Sequence, residues 1–240
     1  MTYCVGIKVK SGMVFCADSR TNAGVDQVHS YRKMYTFGVP GERQFVLLAS
    51  GNLATTHGVV NQLRDDIDDR TPLNLFNTIS LHQTADYIGQ TSRAQQAKTG
   101  GGSLFAADFI LGGQIRGKPM DLFLIYREGN YIMVSDNEPF MQIGESKYGK
   151  PILDRVITLD TDLQTCALCA LVSMEATIRS DLSVGPPIDI QLYQADSLVL
   201  GPRYCLTQDS EYLKSINRLW HQKLLEAVAQ LPPLASSANG

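Results

Sequence analysis

The sequence predicts an α+β fold, a four-layer αββα sandwich in which two antiparallel sheets pack between layers of helix. Three observations predict it. Short alternating runs of β-forming residues open the chain. Helical patterns then come in pairs, with further strands between the pairs. The resulting order lacks the regular strand–helix alternation of a doubly wound parallel sheet. With 240 residues and 44% hydrophobic content, the chain can bury a substantial core. No Pro/Gly/Ser-rich linker divides it, so residues 2–231 read as one domain, and residues 232–240, opened by Pro232-Pro233, read as a flexible C-terminal tail.

Taken in order, Tyr3-Cys4-Val5-Gly6-Ile7-Lys8-Val9 alternates as a first strand, Lys10-Ser11-Gly12 signals a turn, and Met13-Val14-Phe15-Cys16-Ala17 forms a second strand. A three-residue turn at 10–12 pairs Val9 with Met13 and Cys4 with Asp18, and places Arg20 opposite Thr2. Thr2, Asp18 and Arg20 then project from one face. A two-residue turn would separate them. After a polar stretch over 21–31, residues 32–37 form a third strand with Lys33 near its start, where its ammonium group can approach Asp18. An apolar strand over 45–49 ends in Ser50-Gly51 and passes into a helix over 53–69, with Val59, Val60, Leu63 and Ile67 on its apolar face and Ser50 as its cap. A second helix over 75–97 is broken by Gly100-Gly101-Gly102. Strands follow over 104–111, 120–126, 131–134 and 140–143, then helices over 147–157 and 164–179, a strand over 188–193 and a last helix over 211–230.

The chemistry gathers at the start. With no leader ahead of Met1-Thr2, removal of Met1 is expected to leave Thr2 as the first residue of a strand. A threonine hydroxyl is a weak nucleophile without a base at hydrogen-bonding distance. A free α-amine, whose reference pKa is about 7.7–8.0, supplies that base on the same residue. Lys33 would hold the amine's pKa down and Asp18 would orient the lysine. The Ser50-Gly51 corner ahead of a helix offers backbone amides for an oxyanion. Each residue alone has an ordinary structural use: threonine permits methionine removal, Asp18 suits a turn, Lys33 a strand end and Ser50 a cap. Their combination favours an N-terminal nucleophile.

Thr2, the strand ending Phe-Cys-Ala-Asp-Ser-Arg over 15–20, Lys33 and Ala49-Ser50-Gly51 resemble the core signature of proteasome-type β subunits, most closely the bacterial ancestral beta-subunit (Anbu) group. The resemblance covers about residues 2–200, and the last helix is shared mainly with the bacterial group. It implies the sandwich fold of the N-terminal-nucleophile hydrolases, Thr2 as nucleophile and base, a supporting network of Asp18, Arg20 and Lys33, and Gly51 as an oxyanion donor. Residues 143–149 are similar to the family's Gly-Ser turn before a helix, and residues 179–185 to its Asp-containing loop, which implies supporting roles for Ser146 and Asp181. The chain has Glu145-Ser146 where the family generally has Ser-Gly, and Val184 where it has serine.

Net charge of −3 and pI near 5.8 give no footprint for nucleic acid or an anionic membrane. The sequence contains no apolar run of spanning length and no signal peptide, which makes the cytoplasm the expected compartment and its five cysteines reduced thiols. Cys166 and Cys169 have metal-site spacing but lie in an apolar helical run without a second ligand pair, so they read as core. His29, His57, His82 and His221 are scattered. No metal, cofactor or histidine chemistry is expected. Two function classes follow: a threonine peptidase acting on peptide or unfolded-protein substrates, which the resemblance implies works within a ring or helical homo-oligomer, and alternatively a small-amide hydrolase or a silent structural subunit of the same fold.

Overall fold

Two five-stranded antiparallel sheets dominate the computed structural model, which describes residues 2–22, 28–98 and 100–233. Met1, part of the polar stretch at 21–31 and most of the expected tail lie outside the described residues. Strands are numbered in chain order: β1 (Tyr3–Val9), β2 (Gly12–Asp18), β3 (Arg20–Asn22), β4 (Val28–Ser30), β5 (Met34–Val39), β6 (Arg43–Gly51), β7 (Ala107–Ile115), β8 (Asp121–Ile125), β9 (Tyr131–Met133), β10 (Phe140–Gly144), β11 (Ile188–Gln194) and β12 (Leu200–Leu206). The first sheet runs β10-β1-β2-β11-β12 and the second β5-β6-β7-β8-β9, while β3 and β4 form a small separate hairpin.

Alternation sorts each strand's side chains into two layers. Cys4, Met13, Phe15 and Ala17 face Met34, Val46, Leu48 and Ile110 across the space between the sheets. The other face of the second sheet, with Phe45, Leu47, Phe109 and Phe123, is covered by α1 (Leu53–Asp68) and α2 (Leu81–Lys98) through Val59, Leu63, Ala85 and Ile88. On the outer face of the first sheet, Tyr3, Val5, Ile7 and Cys16 meet Leu153 of α3 (Ser146–Val156) and Cys166, Ala170 and Met174 of α4 (Leu163–Ser180). Burying each large apolar side chain contributes about 1.5–3 kcal/mol, so the three layers together hold the strand ends, and the site built on them, rigidly. The αββα sandwich expected from the sequence is the observed architecture. A last helix, α5 (Glu211–Ala229), anchors on this body through Leu213. Among the described residues, no helix is long and apolar enough to cross a membrane.

Local details differ from the sequence expectation for identifiable reasons. The β1–β2 turn has two residues, not three: Val9 pairs with Gly12 and Cys4 with Ala17. Gly12 remains in the strand because β11 pairs with β2 from the other side, Gln194 lying opposite Gly12. A Cβ on Gly12 would come 2.0 Å from the Tyr193 carbonyl oxygen, so glycine serves close strand approach here and not a turn. The one-residue slip places Asp18 across from Tyr3 and removes Arg20 from its expected position opposite Thr2; Arg20 pairs with Ser30 instead. The second helix starts at Leu81, not at 75. Asn74 and Asn77 turn the chain before it by accepting hydrogen bonds from the backbone of Phe76 and Asn74, the competition with helix expected of asparagine. Asn52, not Ser50, caps α1 by accepting from the Thr55 amide at 3.1 Å, a contribution of about 1 kcal/mol. The strand expected over 104–111 starts later, at Ala107, after a 3-10 turn at Ser103–Phe105.

Candidate active site

Thr2 precedes β1, is almost completely buried, 8% exposed, and lines a cleft of about 590 Å³. The end of β10 holds it there. The Glu145 amide donates to the Thr2 carbonyl oxygen at 2.8 Å. Gly144, in the positive-φ region at 82°, lets β10 close onto this point, since a Cβ would lie 1.9 Å from the same oxygen. Any side chain at 144 displaces Thr2.

Asp18, fully buried at the end of β2, is the hub behind Thr2. Its Oδ1 accepts from Lys33 Nζ at 2.7 Å and from the Tyr3 amide at 3.1 Å, and its Oδ2 accepts from the Gly185 amide at 3.2 Å. Burial pushes the Asp18 carboxyl above the ordinary carboxylate range, while the Lys33 ammonium and the two amides oppose that shift. Lys33, immediately before β5, also donates to the Arg20 carbonyl oxygen at 2.6 Å. Two acceptors aim the ammonium in one direction, and Lys33 lines the cleft together with Thr2.

Gly51 lies at the far end of β6. Asn52 donates its amide to the Ala106 carbonyl oxygen at 2.9 Å, so the hydrogen-bonding alternation of β6 directs the preceding Gly51 amide away from β7, beyond the start of β5 and into the cleft. Thr2, Lys33 and Gly51 therefore border one space. Arg20 does not project into it. Its Nη1 donates to the carbonyl oxygens of Leu182 at 2.9 Å and Val184 at 3.5 Å, tying the loop after α4 to the back of the site.

Ser146 and Asp181 also stay outside the cleft wall. Ser146 opens α3. Asp181 follows α4 and accepts at Oδ1 from the Ser183 hydroxyl at 2.6 Å and the Ser183 amide at 2.8 Å, which hold its carboxyl below the usual range. Val184, in the place where the resembling family has serine, is fully buried in the core, and Ser183, one residue earlier, is the serine that bonds Asp181. Cys166 and Cys169 face the α4 core, where burial pushes both thiols up, Cys166 to about 12.

Sequence reasoning missed much of the cleft wall, Asp108, Arg127 and Glu145 among it. Asp108 and Arg127 pair at 2.9 Å in the wall of the cleft that Thr2 lines, and nothing local in either segment signals it. Glu145 lines it too, with its side chain only 10% exposed. Its signal was present in the departure from Ser-Gly at 145–146.

The profile of the proteasome subunit family matches residues 2–192. The chain belongs to the proteasome subunit family. Among solved structures it is similar to Anbu (ancestral beta-subunit) from Yersinia bercovieri, at 44% identity and TM-score 0.93, over 97% of this chain and 98% of that one. It is similar to the helical assembly of the Anbu complex from Pseudomonas aeruginosa at 44% identity and TM-score 0.93, over 99% of this chain and 100% of that one. An Anbu (Gly-1) mutant from Hyphomicrobium sp. strain MC1 shares 40% identity and TM-score 0.93, over 98% and 99% of the two chains. No curated protein matches. Near-complete coverage in both directions extends the likeness through α5, beyond the end of the family match at residue 192.

Proposed function

We propose that this proteasome-family subunit is a threonine peptidase whose nucleophile and base are both on Thr2 once Met1 has been removed. The observation that carries the proposal is the buried Lys33–Asp18 pair, 2.7 Å between charged atoms, bordering the cleft that contains Thr2 and the Gly51 amide. Scaffolding gives no reason to desolvate a lysine and an aspartate beneath a threonine, because a buried ion pair is weak evidence for stability.

In the proposed reaction the Thr2 hydroxyl gives its proton to the Thr2 amine as its oxygen attacks a substrate carbonyl. The Gly51 amide donates to the oxyanion that forms. Collapse breaks the C–N bond, the ammonium returns its proton to the departing amine, and an ester on Thr2 remains. Water, deprotonated by the same amine, hydrolyses the ester and regenerates Thr2. Lys33 keeps the amine's pKa low through its positive charge, Asp18 fixes Lys33, and Arg20, Ser146 and Asp181 support the surrounding backbone from outside the cleft. A threonine-directed electrophile should form an adduct on residue 2, located by mass spectrometry of the labelled peptide. Absence of an adduct on a chain shown to begin at Thr2 would refute the mechanism.

We also propose self-association, in a closed ring or an open helical turn, with 44% identity to a protein described as a helical assembly as the support. A side-to-side contact closes into a ring only when its rotation has no axial rise. Size-exclusion chromatography with light scattering should give a mass several times 26.4 kDa. A single active species of 26.4 kDa at micromolar concentration would overturn this.

A further inference from the structure

We propose that the Glu145 carboxylate is the counter-ion of the free Thr2 α-ammonium, a positioning residue that sets the pH at which this amine becomes a base. The inference rests on the proposed reading of Thr2 as an N-terminal nucleophile.

Strand geometry supplies the first argument. In β1 the backbone N–H and C=O groups of successive residues point alternately to the two neighbouring strands. The Tyr3 amide points towards the end of β2, where it donates to Asp18, and the Thr2 carbonyl oxygen points towards β10, where it accepts from the Glu145 amide at 2.8 Å. The pairing Tyr3 with Gly144, carried one residue further, sets Glu145 directly opposite Thr2. The Thr2 nitrogen shares the direction of its own carbonyl. Removal of Met1 therefore leaves an amine on the side of the strand that Glu145 occupies.

The second argument is that Glu145 has no other evident use. It stands at the N-cap position of α3, yet its side chain accepts no capping hydrogen bond there. It is 9% exposed and lines the cleft with Thr2. Its charged partner among the described residues is Lys147, at a loose 3.8 Å, and that lysine side chain is 69% exposed. A carboxylate so nearly buried costs stability unless a cation meets it. The serine of the resembling family's Ser-Gly pair would offer a hydroxyl at this point and no charge.

The consequence is electrostatic. When the Thr2 hydroxyl proton moves to the amine, the ammonium that forms is stabilised by Glu145, and Lys33 opposes it from the other side. The amine's pKa is a balance between the two. The other charged groups around it are Asp18 at the end of β2, Arg32 before β5, Asp108 on β7 with Arg127 after β8, Lys147 on α3 and Asp181 after α4. All of them are retained when Glu145 alone is changed, so the difference isolates its contribution.

The test is competitive acetylation of the N-terminal amine with acetic anhydride across pH, read by mass spectrometry, on protein produced with Thr2 as its first residue. An opposite charge within about 4–6 Å shifts a pKa by roughly 1–3 units. Glu145→Gln should therefore lower the amine's pKa by about one unit and raise its labelling rate about tenfold at a fixed pH below that pKa. Glu145→Ser should do the same, and the acid limb of any pH–rate profile should move down in parallel. The backbone hydrogen bond to the Thr2 carbonyl survives both changes. Labelling needs no turnover, so a chain that hydrolyses nothing still reports on the pair. The same amine pKa in wild type and both variants would overturn the proposal, as would a rise in KM for substrates carrying an amine without any change in that pKa, since Glu145 would then serve a substrate cation.

Discussion

Thr2→Ala is expected to abolish hydrolysis while leaving the fold and its assembly intact. Thr2 is held by its backbone, through the Glu145 amide, and among the described residues its hydroxyl makes no hydrogen bond. Deleting the hydroxyl and one methyl group thus leaves the anchor in place, and thermal unfolding of the variant should stay close to wild type. Loss of nucleophile and loss of base should look alike, because both sit on residue 2. A chain that retains Met1, or an uncleaved N-terminal tag, has an amide nitrogen in place of the amine and no lone pair for the hydroxyl proton. It should be as inactive as Thr2→Ala. Turnover assays on three proteins, beginning at Thr2, beginning at Met1 and carrying Thr2→Ala, with each N-terminus verified by mass spectrometry, check this. Full activity in the Met1 form would sink the mechanism.

How much of this was legible in the residues depended on whether local rules or distant partners decided each feature. Strand propensity was local, so the strands β1, β2 and β6 followed from the sequence. The hairpin register was not. Gly12 looks like a turn glycine until β11 arrives from more than 170 residues away and presses the Tyr193 carbonyl against it. The slipped register predicted Thr2, Asp18 and Arg20 on one face, whereas Asp18 meets Lys33 because the carboxylate at the end of β2 turns to the Tyr3 amide beside the start of β5. β12 escaped notice because it is a half-exposed edge strand with Gly201-Pro202 inside it, where proline's missing N–H costs nothing. In the helix expected from residue 75, Leu75 does face the core, so its apolar signal was real, but two asparagines diverted the backbone. Asp108 and Arg127 illustrate the remaining limit: a wall assembled from separate segments leaves no pattern in either one.

Lys33→Ala is expected to reduce turnover by about 10²–10⁴-fold, the range for a positioned acid–base or electrostatic group. The same substitution leaves Asp18 buried with two backbone donors and no cation, so the stability effect must be separated from the catalytic one. Breaking a buried pair by removing one partner typically costs about 3–5 kcal/mol. The pH dependence of that cost has a definite sign. Asp18 already has a folded-state pKa raised by burial above its unfolded value of about 3.9, and without Lys33 it rises further. A group with a raised folded pKa binds its proton more tightly when folded, so stability falls as pH climbs from the unfolded towards the folded value. The deficit of Lys33→Ala relative to wild type should therefore be small in mild acid, where Asp18 is protonated and neutral, and grow towards neutral and alkaline pH. Thermal unfolding at several pH values measures this, and turnover measured below each unfolding transition measures the catalytic loss separately. Near-normal turnover with an unchanged pH–rate profile would make Lys33 a structural partner of Asp18 and nothing more. A turnover loss that persists where the variant is fully folded leaves the ammonium's charge beside Thr2 as its cause.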